Sequence, residues 1–474
     1  MMRKTFSLLL VSLLALTLLL SACSEKLALE PLDAEQNVKL KVLFWDEDYF
    51  YREYGNYFSM KYPNVEFEVI STTKLQQERE KSYEDYQEAM YKFIEENQPD
   101  VLMLQPDQYE KFASEGKLYE LDTIMKQEKF DTESFLPSVM QMLKDKGGGK
   151  TYGLAATFGA QVLYYNADLF QKNGVELPKN QMTWDQVLQL AQRFPTSGSD
   201  KDRIYGLNLQ GMGGPSDLVM NLGSTENLRW VDKEGKKVQF EAESWRKVYQ
   251  LATNAFKSGA IYDEKRNMPQ MGDTMESYLT RNPFTVGRSA MTIGGSWYMN
   301  ELSRATDQIK DFKPFQWGVV TAPVNPAEPT MTDNMYLSEI MSVNAKSTNT
   351  RAAWEFVKFV NGSEMARMQS RQMTGNLPTR KEFIKDKENH DLSAFYLLTP
   401  KFTSYNSKEY PMPNNFYMTQ NTVIDEQTKQ FVDNKQSMEQ TIANIQKQLQ
   451  DGLDKGWQED EAKKKKDKEK EAKK

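Results

Sequence analysis

The chain of 474 residues contains one cysteine, Cys23, and one histidine, His390. A single cysteine excludes disulfides within the chain, so a folded body of this length must be stabilised by packing. A single histidine excludes the Ser-His and Cys-His pairs of hydrolases, and the sequence has no cluster of histidines and cysteines for zinc. The polar residues around His390 predict a solvated loop position.

The chain also lacks a strong charge of one sign. It has 60 Lys and Arg against 67 Asp and Glu, a formal net charge of -7. This mild, mixed balance argues against a nucleic-acid binder that follows phosphates. One apolar run stands out, Ser7 to Leu20, and no second one follows. We therefore expect the rest of the chain to be soluble.

The N-terminus has the order of an export signal. Met1 to Lys4 is basic, the apolar run follows, and Leu20-Ser21-Ala22-Cys23 ends it. This ending resembles the lipobox of bacterial lipoproteins, which implies removal of residues 1–22 and acylation of Cys23, for example with palmitate. Two or more acyl chains make such an anchor stable. The alternative is an ordinary secretory signal. Residues 23–37 are predicted to be a tether.

Strand and helix patterns alternate after the tether. Val38–Phe44 and Val65–Ile70 alternate apolar and polar residues, Val101–Leu104 is continuously apolar, and apolar residues recur at helical spacing up to Ile94. This alternation predicts an α/β fold with a mostly parallel sheet. At about 150 residues per domain, the length predicts at least two lobes.

Later segments predict several helices. Thr183 is a candidate N-cap, and Trp184, Trp245 and Trp354 lie on helical stripes that favour a place in the core. The last long helix is predicted from Glu426 to Leu453. The highly charged tail beyond it is predicted to be a frayed, solvated helix, with contact to anionic surface polymers as the alternative.

Three motifs do not support nucleotide binding or catalysis. Gly147–Thr151 ends like a phosphate loop, but Lys144 stands where that motif needs glycine and a strand pattern follows. Gly211–Gly214 lacks the dinucleotide spacing and predicts a turn. The adjacent carboxylates Asp46, Glu47 and Asp48 point in different directions on a strand-end loop, which disfavours a catalytic acid pair.

Aromatic and polar side chains follow several predicted strands, where ligands of open α/β sheets bind. Aromatic faces match the C–H faces of sugar rings, and carboxylates or amides form hydrogen bonds with sugar hydroxyls. The candidates are Trp45, Asp46, Asp107, Phe158, Ser296 and Trp297. For Trp45 and Trp297, binding and core packing stay equally open.

Four sequence blocks occur in an order shared with one protein family. They are Pro99–Met103 with Gly116–Leu118; Gly149–Leu154 with Tyr164–Phe170 and Thr183–Asp185; Phe284–Met291 running to Trp297; and Ala352–Phe359 with Gly375–Pro378. In this order they resemble the extracellular solute-binding proteins, family 1, of bacterial ABC importers, specifically the carbohydrate-binding class. Together with the lipobox, the resemblance covers nearly the whole mature chain.

The resemblance implies a two-lobed, periplasmic-binding-protein-like α/β fold with a hinge and an interlobe cleft. Lobe 1 is predicted to comprise residues 38–156 plus 319–368, lobe 2 residues 157–318 plus 369–455, and the charged tail residues 456–474. The chain is predicted to cross between the lobes near Ala155–Gly159, Trp317-Gly318 and Ser363–Gly375. It also implies a monomer that is not an enzyme and has no cofactor, and we predict no metal site other than the calcium binding that stays open. Such a monomer captures a carbohydrate, in particular an oligosaccharide, and delivers it to the permease at the outer face of the cell membrane.

The resemblance also places the ligand contacts of the family on particular residues of this sequence. The family's tryptophan falls on Trp297, its polar contact on Asp107, and an aromatic contact on Phe416 or Tyr417. The acidic contact of maltose-type members falls on Gly159, which has no side chain, so a maltodextrin ligand is disfavoured. The alternatives are a peptide or polyamine receptor, a surface polysaccharide-processing enzyme, and a sensory or scaffold lipoprotein. The sugar and calcium binding stay open.

Overall fold

The computed structural model describes residues 29–73, 75, 83–198, 202–209, 213–267, 274–337, 339–372, 375–386, 388–401, 411–413 and 416–471. The predicted signal, Cys23 and part of the Gly211–Gly214 turn lie outside these ranges. Within them, no helix combines the length and the apolar character needed to cross a membrane. The described residues form a two-lobed α/β protein, which confirms the predicted fold class.

Strands and helices alternate through most of the chain. The strands are β1 Val38–Phe44, β2 Val65–Ser71, β3 Val101–Leu104, β4 Gly153–Leu154, β5 Thr157–Asn166, β6 Tyr205–Leu209, β7 Ile261–Tyr262, β8 Ser289–Gly295, β9 Trp317–Thr321, β10 Met331–Thr332, β11 Met335–Tyr336, β12 Ile340–Val343, β13 Leu377–Pro378 and β14 Thr399–Pro400.

The helices cover both sheets. They are α1 Glu47–Phe50, α2 Asn56–Lys61, α3 Tyr83–Asn97, α4 Pro106–Ser114, α5 Asp122–Gln127, α6 Pro137–Lys146, α7 Ala167–Asn173, α8 Trp184–Ala191, α9 Pro215–Thr225, α10 Glu243–Lys257, α11 Glu264–Asn267, α12 Met275–Thr280, α13 Tyr298–Gln308, α14 Thr350–Val360, α15 Ser363–Gln372, α16 Phe416–Val432 and α17 Met438–Glu471. A π-helical turn, Tyr51–Gly55, joins α1 to α2, and short 3₁₀ turns span Lys381–Phe383 and Ser393–Phe395.

The first lobe contains a five-stranded sheet in the order β2-β1-β3-β12-β4. Strands β1, β2 and β3 are parallel, with Val38 opposite Val65 and Val42 opposite Val101. Strand β12 runs antiparallel to both β3 and β4, so the sheet is mixed, with parallel pairing confined to β1–β3. Leu40 is fully buried while its neighbour Lys39 is exposed, as alternation predicts.

The second lobe contains a seven-stranded sheet built around the long strand β5. β5 pairs antiparallel with β8 and β9 over its second half, and with β11 and β13 near its start. β8 continues the sheet through parallel β6 and β7. The start of β5 and the end of β8 therefore lie at one edge, where Gln161 is opposite Gly295.

Three short connections join the lobes. β4 leaves the first sheet at Leu154 and β5 enters the second at Thr157. β11 ends in the second sheet at Tyr336, and β12 begins in the first at Ile340. Helix α15 leads to β13, which pairs with β5. The predicted crossing at Trp317-Gly318 is wrong, because β9 pairs with β5 from Trp317 to Thr321 and so belongs wholly to the second lobe. These short links bring the two sheet edges together at a cleft.

The cores confirm the assignment of three tryptophans. Trp184, Trp245 and Trp354 are 3%, 1% and 0% exposed. Trp245 stacks on Phe240 at 5.0 Å between ring centroids and donates its indole N–H to the Arg229 carbonyl. Such large buried rings contribute much of the packing that replaces disulfides.

Both ends of the described chain pack more closely than expected. Leu29 and Leu32, in the predicted tether, contact the first lobe's core. The predicted helix Glu426–Leu453 is two helices, α16 and α17, separated by residues 433–437. Helix α17 continues into the charged tail as far as Glu471, and Trp457 donates its indole N–H to the Gly235 carbonyl at 2.7 Å.

Candidate functional site

The end of β1 contributes an aromatic ring and a carboxylate to the first lobe's cleft edge. Trp45 is 40% exposed, which excludes core packing, and its ring lies 4.6 Å from the Tyr49 ring. The Asp46 carboxylate accepts a hydrogen bond from the Tyr49 backbone N–H at 2.8 Å and caps α1. Part of the hydrogen-bonding capacity of Asp46 is therefore already used by the fold.

Two further carboxylates lie along this edge. Asp107 stands in the first turn of α4, after β3, and burial raises its pKa while Lys146 opposes the rise. Glu339 immediately precedes β12, whose first residue, Ile340, is paired with Leu104 at the end of β3. The Tyr54 hydroxyl donates to the Glu339 carboxylate at 2.7 Å, and burial raises the Glu339 pKa. The sequence analysis did not identify Glu339.

The second lobe's edge carries two exposed rings lying on glycines. A Cβ on Gly295 would come within 2.6 Å of the Trp297 indole nitrogen, and one on Gly159 within 2.1 Å of the Tyr336 ring. Trp297 is 39% exposed and Tyr336 is 52% exposed. Glycine is needed at both positions because any side chain would displace the rings. Sequence reasoning noted Gly159 but missed Tyr336.

Two amides lie on the same face of the sheet as these rings. Gln161 is two residues after Gly159 and directly opposite Gly295, so its side chain shares their face. Asn334 is two residues before Tyr336, and its carbonyl accepts a hydrogen bond from the Gln161 backbone N–H at 2.9 Å. We call Gln161, Trp297, Asn334 and Tyr336 the lobe 2 platform. It offers two flat apolar faces with amide donors and acceptors on the same sheet face.

Three predicted contact residues are occupied elsewhere. Phe158 is 0% exposed in the core, so its assignment as a ligand contact is wrong: it precedes Gly159 on β5 and faces the opposite side. Phe416 is 3% exposed and stacks on Trp230, which corrects that assignment too. The Ser296 hydroxyl donates to the Gly375 carbonyl and is 5% exposed.

Tyr417 and His390 lie in different settings from those expected. Tyr417 is 71% exposed on α16, and no described contact connects it to the platform. His390 is not a solvated loop residue: its ring stacks on Trp317 at 3.7 Å between centroids, and its Nδ1 lies 2.5 Å from an Asp386 carboxylate oxygen. Within the described ranges, no group of three or more His, Cys, Asp or Glu could hold a metal ion.

The family comparison matches most of the chain. Residues 44–367 match the sequence model of the family described as bacterial extracellular solute-binding protein. A putative binding protein of Brucella abortus is 29% identical over 300 residues, which is 61% of this chain and 65% of that protein. The aligned region thus spans just under two thirds of that relative's length.

Two other comparisons extend over more of the chain. The arabinooligosaccharide-binding protein of Bacillus subtilis is 22% identical over 396 residues, covering 82% of this chain and 83% of that protein. A sugar transporter from Rhizobium etli, solved in an open conformation, superposes with a TM-score of 0.54 and 21% identity, covering 87% of this chain and 99% of that chain. At this identity, the structural likeness shows the fold.

Proposed function

This chain belongs to the family of bacterial extracellular solute-binding proteins, and from that premise we propose that it captures an oligosaccharide between its lobes and delivers it to an ABC permease. The family consists of binding proteins and not enzymes. The observation that carries the proposal is the lobe 2 platform. Its two rings can stack on sugar rings while Gln161 and Asn334 bond to hydroxyls.

The first lobe supplies the opposite wall. Trp45, Asp107 and Glu339 stand at an edge connected to the platform by only a few residues through the first two crossovers. A ligand that touches both walls binds a closed arrangement better than an open one and so shifts the population towards closure. The permease then recognises the closed form. Acylation of Cys23 would keep the protein at the outer face of the membrane.

The test is saccharide binding with a matched pair of variants. A thermal-shift screen of neutral and acidic saccharides should identify a ligand, and calorimetry then measures its affinity. In Trp297→Ala this affinity should fall by about 2 kcal/mol, or about thirtyfold. Tyr417→Ala removes an exposed ring that lies off the platform and should leave the affinity unchanged. Equal losses in the two variants, or lost stability with intact affinity in Trp297→Ala, would contradict the proposal.

A polyamine is the second candidate ligand. The carboxylates Asp46, Asp107 and Glu339 share one edge with Trp45, and carboxylates with aromatic rings also bind organic cations. Spermidine and putrescine therefore belong in the same screen. Binding of these amines with no saccharide binding would favour this candidate over the oligosaccharide.

Closure and delivery need separate measurements. Small-angle scattering should show a smaller radius of gyration when the identified saccharide is bound, and an unchanged radius with demonstrated binding would contradict closure.

Transport of that saccharide should be lost in cells deleted for this protein and restored by the wild-type chain. Normal uptake in the deleted cells would contradict delivery. Replacement of Cys23 by serine, followed by membrane fractionation, tests the anchor.

A further inference from the structure

A recess of about 130 Å³ lies beside the lobe 2 platform. It is lined by Asn221, Ser224, Thr225, Pro323, Val324, Asn325, Met331, Thr332, Asp333, Asn334 and Lys401. We infer that this recess is a second glycosyl subsite, which selects neutral saccharides of two or more units over monosaccharides. The inference rests on the proposed function and extends it to ligand length and charge.

The recess adjoins the platform through Asn334, which belongs to both. A narrower pocket, of about 10 Å³, shares Asn221, Thr225 and Asn334 with the recess and also includes Gln161. Gln161 and Asn334 are platform residues, and no described residue hydrogen-bonds to either side-chain amide. A saccharide unit stacked on the platform can therefore extend a second unit past these amides, and a monosaccharide cannot occupy both places.

The walls of the recess are fixed by the surrounding structure. Strands β10 and β14 pair in parallel, with Met331 opposite Thr399. The Thr332 hydroxyl accepts a hydrogen bond from the Asn334 backbone N–H at 3.0 Å, and the Thr225 hydroxyl accepts one from the Trp184 indole N–H at 3.0 Å. A preformed site loses little conformational freedom when a ligand binds.

The charges of the recess favour a neutral ligand. Lys401 is only 11% exposed, and its ammonium lies 2.8 Å from the Glu328 carboxylate and 3.5 Å from the Asp333 carboxylate. The ammonium that lines the recess is therefore already paired with carboxylates, so it is not a free counter-ion for an acidic sugar. The remaining polar groups are amides and hydroxyls, which both donate to and accept from neutral hydroxyls.

Ser224 offers a way to fill the recess without disturbing its walls. It is exposed on α9, and no described residue hydrogen-bonds to its side chain. Ser224→Phe places a ring where the second unit would lie, whereas Ser224→Ala leaves the space open. Circular dichroism and thermal melting confirm that both variants fold.

Calorimetry measures the binding of two neutral trimers and their monosaccharides: arabinotriose against arabinose, and maltotriose against glucose. Trigalacturonate is the acidic trimer. For the series that binds, we expect the neutral trimer to bind at least about tenfold more tightly than its monosaccharide. Ser224→Phe should remove this preference and leave monosaccharide affinity unchanged, while Ser224→Ala retains the preference. The Trp297→Ala variant should weaken trimer and monosaccharide alike, because both need the platform.

Four results would contradict the subsite, its charge selection or the proposed function. A trimer and a monosaccharide that bind equally, or a trimer preference that survives Ser224→Phe, would remove the subsite and leave the proposed function standing. Tighter binding of trigalacturonate than of any neutral trimer would overturn the charge selection. An absence of saccharide binding in all arms would remove the proposed function together with the subsite.

Discussion

The two walls of the cleft present equally exposed tryptophans in different surroundings. Trp45 in lobe 1 is 40% exposed and Trp297 in lobe 2 is 39% exposed. Trp45 stands among carboxylates that already have partners, such as Asp46 in its helix cap and Glu339 with Tyr54. Trp297 shares its sheet face with a second ring, Tyr336, and with amides that have no described side-chain hydrogen-bond partner. The lobe 2 wall can therefore bind ligand hydroxyl groups without breaking hydrogen bonds within the protein. The carboxylates of the lobe 1 wall must share or give up hydrogen bonds they already make.

This difference predicts that the platform rings dominate affinity. The double variant Trp297→Ala/Tyr336→Ala should lose about 3 kcal/mol, more than about a hundredfold in Kd for the identified saccharide. Trp45→Ala should lose only about 1 kcal/mol, because its ring already packs against Tyr49. Calorimetry on these variants measures both losses. A larger loss of affinity in Trp45→Ala than in the double variant would show that lobe 1, and not lobe 2, dominates binding.

Glu339→Gln is expected to have the next largest effect. Loss of a hydrogen bond from a ligand hydroxyl to a carboxylate should weaken binding by about 1.5 kcal/mol. The variant can still accept the Tyr54 hydroxyl, so the fold should be retained. Unchanged saccharide affinity in Glu339→Gln would show that the Glu339 carboxylate of lobe 1 does not bind the ligand.

The same variant should alter the pH dependence of stability. Burial raises the Glu339 pKa, so the folded state holds this proton more tightly than the unfolded state. That stabilisation is fully present below the ordinary carboxyl pKa and is lost as the pH rises through the raised pKa. Melting temperatures from about pH 4 to about pH 8 should therefore fall more steeply for the wild type than for Glu339→Gln. Parallel profiles would contradict the burial effect.

Sequence predicted the parts of this cleft that depend on local chain order. Trp45 directly follows β1 and Trp297 follows β8 after one residue, and strand ends in an α/β sheet define the ligand edge. Glu339 and Tyr336 were missed, because β11 and β12 are too short to show a periodic pattern and reach their neighbours by pairing with distant strands. Phe158 was wrong by one residue, since adjacent side chains on β5 face opposite sides.

Gly159→Ala tests how the platform is built. The added Cβ would lie 2.1 Å from the Tyr336 ring, and the exposed ring can move aside at little cost to folding. We expect saccharide affinity to fall by about 1 kcal/mol and stability to change by less than about 0.5 kcal/mol. Gly375→Ala is the matched control, because its Cβ would meet no atom within 4 Å. Intact affinity in Gly159→Ala would show that the position of the Tyr336 ring is unimportant.

Asp46 is expected to have the smallest effect on affinity and a clear effect on folding. Its carboxylate caps α1 by accepting the Tyr49 backbone N–H, so Asp46→Ala should cost about 1 kcal/mol of unfolding free energy. Asp46→Asn keeps a capping oxygen and should restore most of that stability. Urea unfolding and calorimetry together distinguish this role from the predicted ligand contact. If Asp46→Ala unfolds like the wild type but binds the saccharide more weakly, Asp46 contacts ligand, and lobe 1 is more open to hydroxyls than its internal bonds imply.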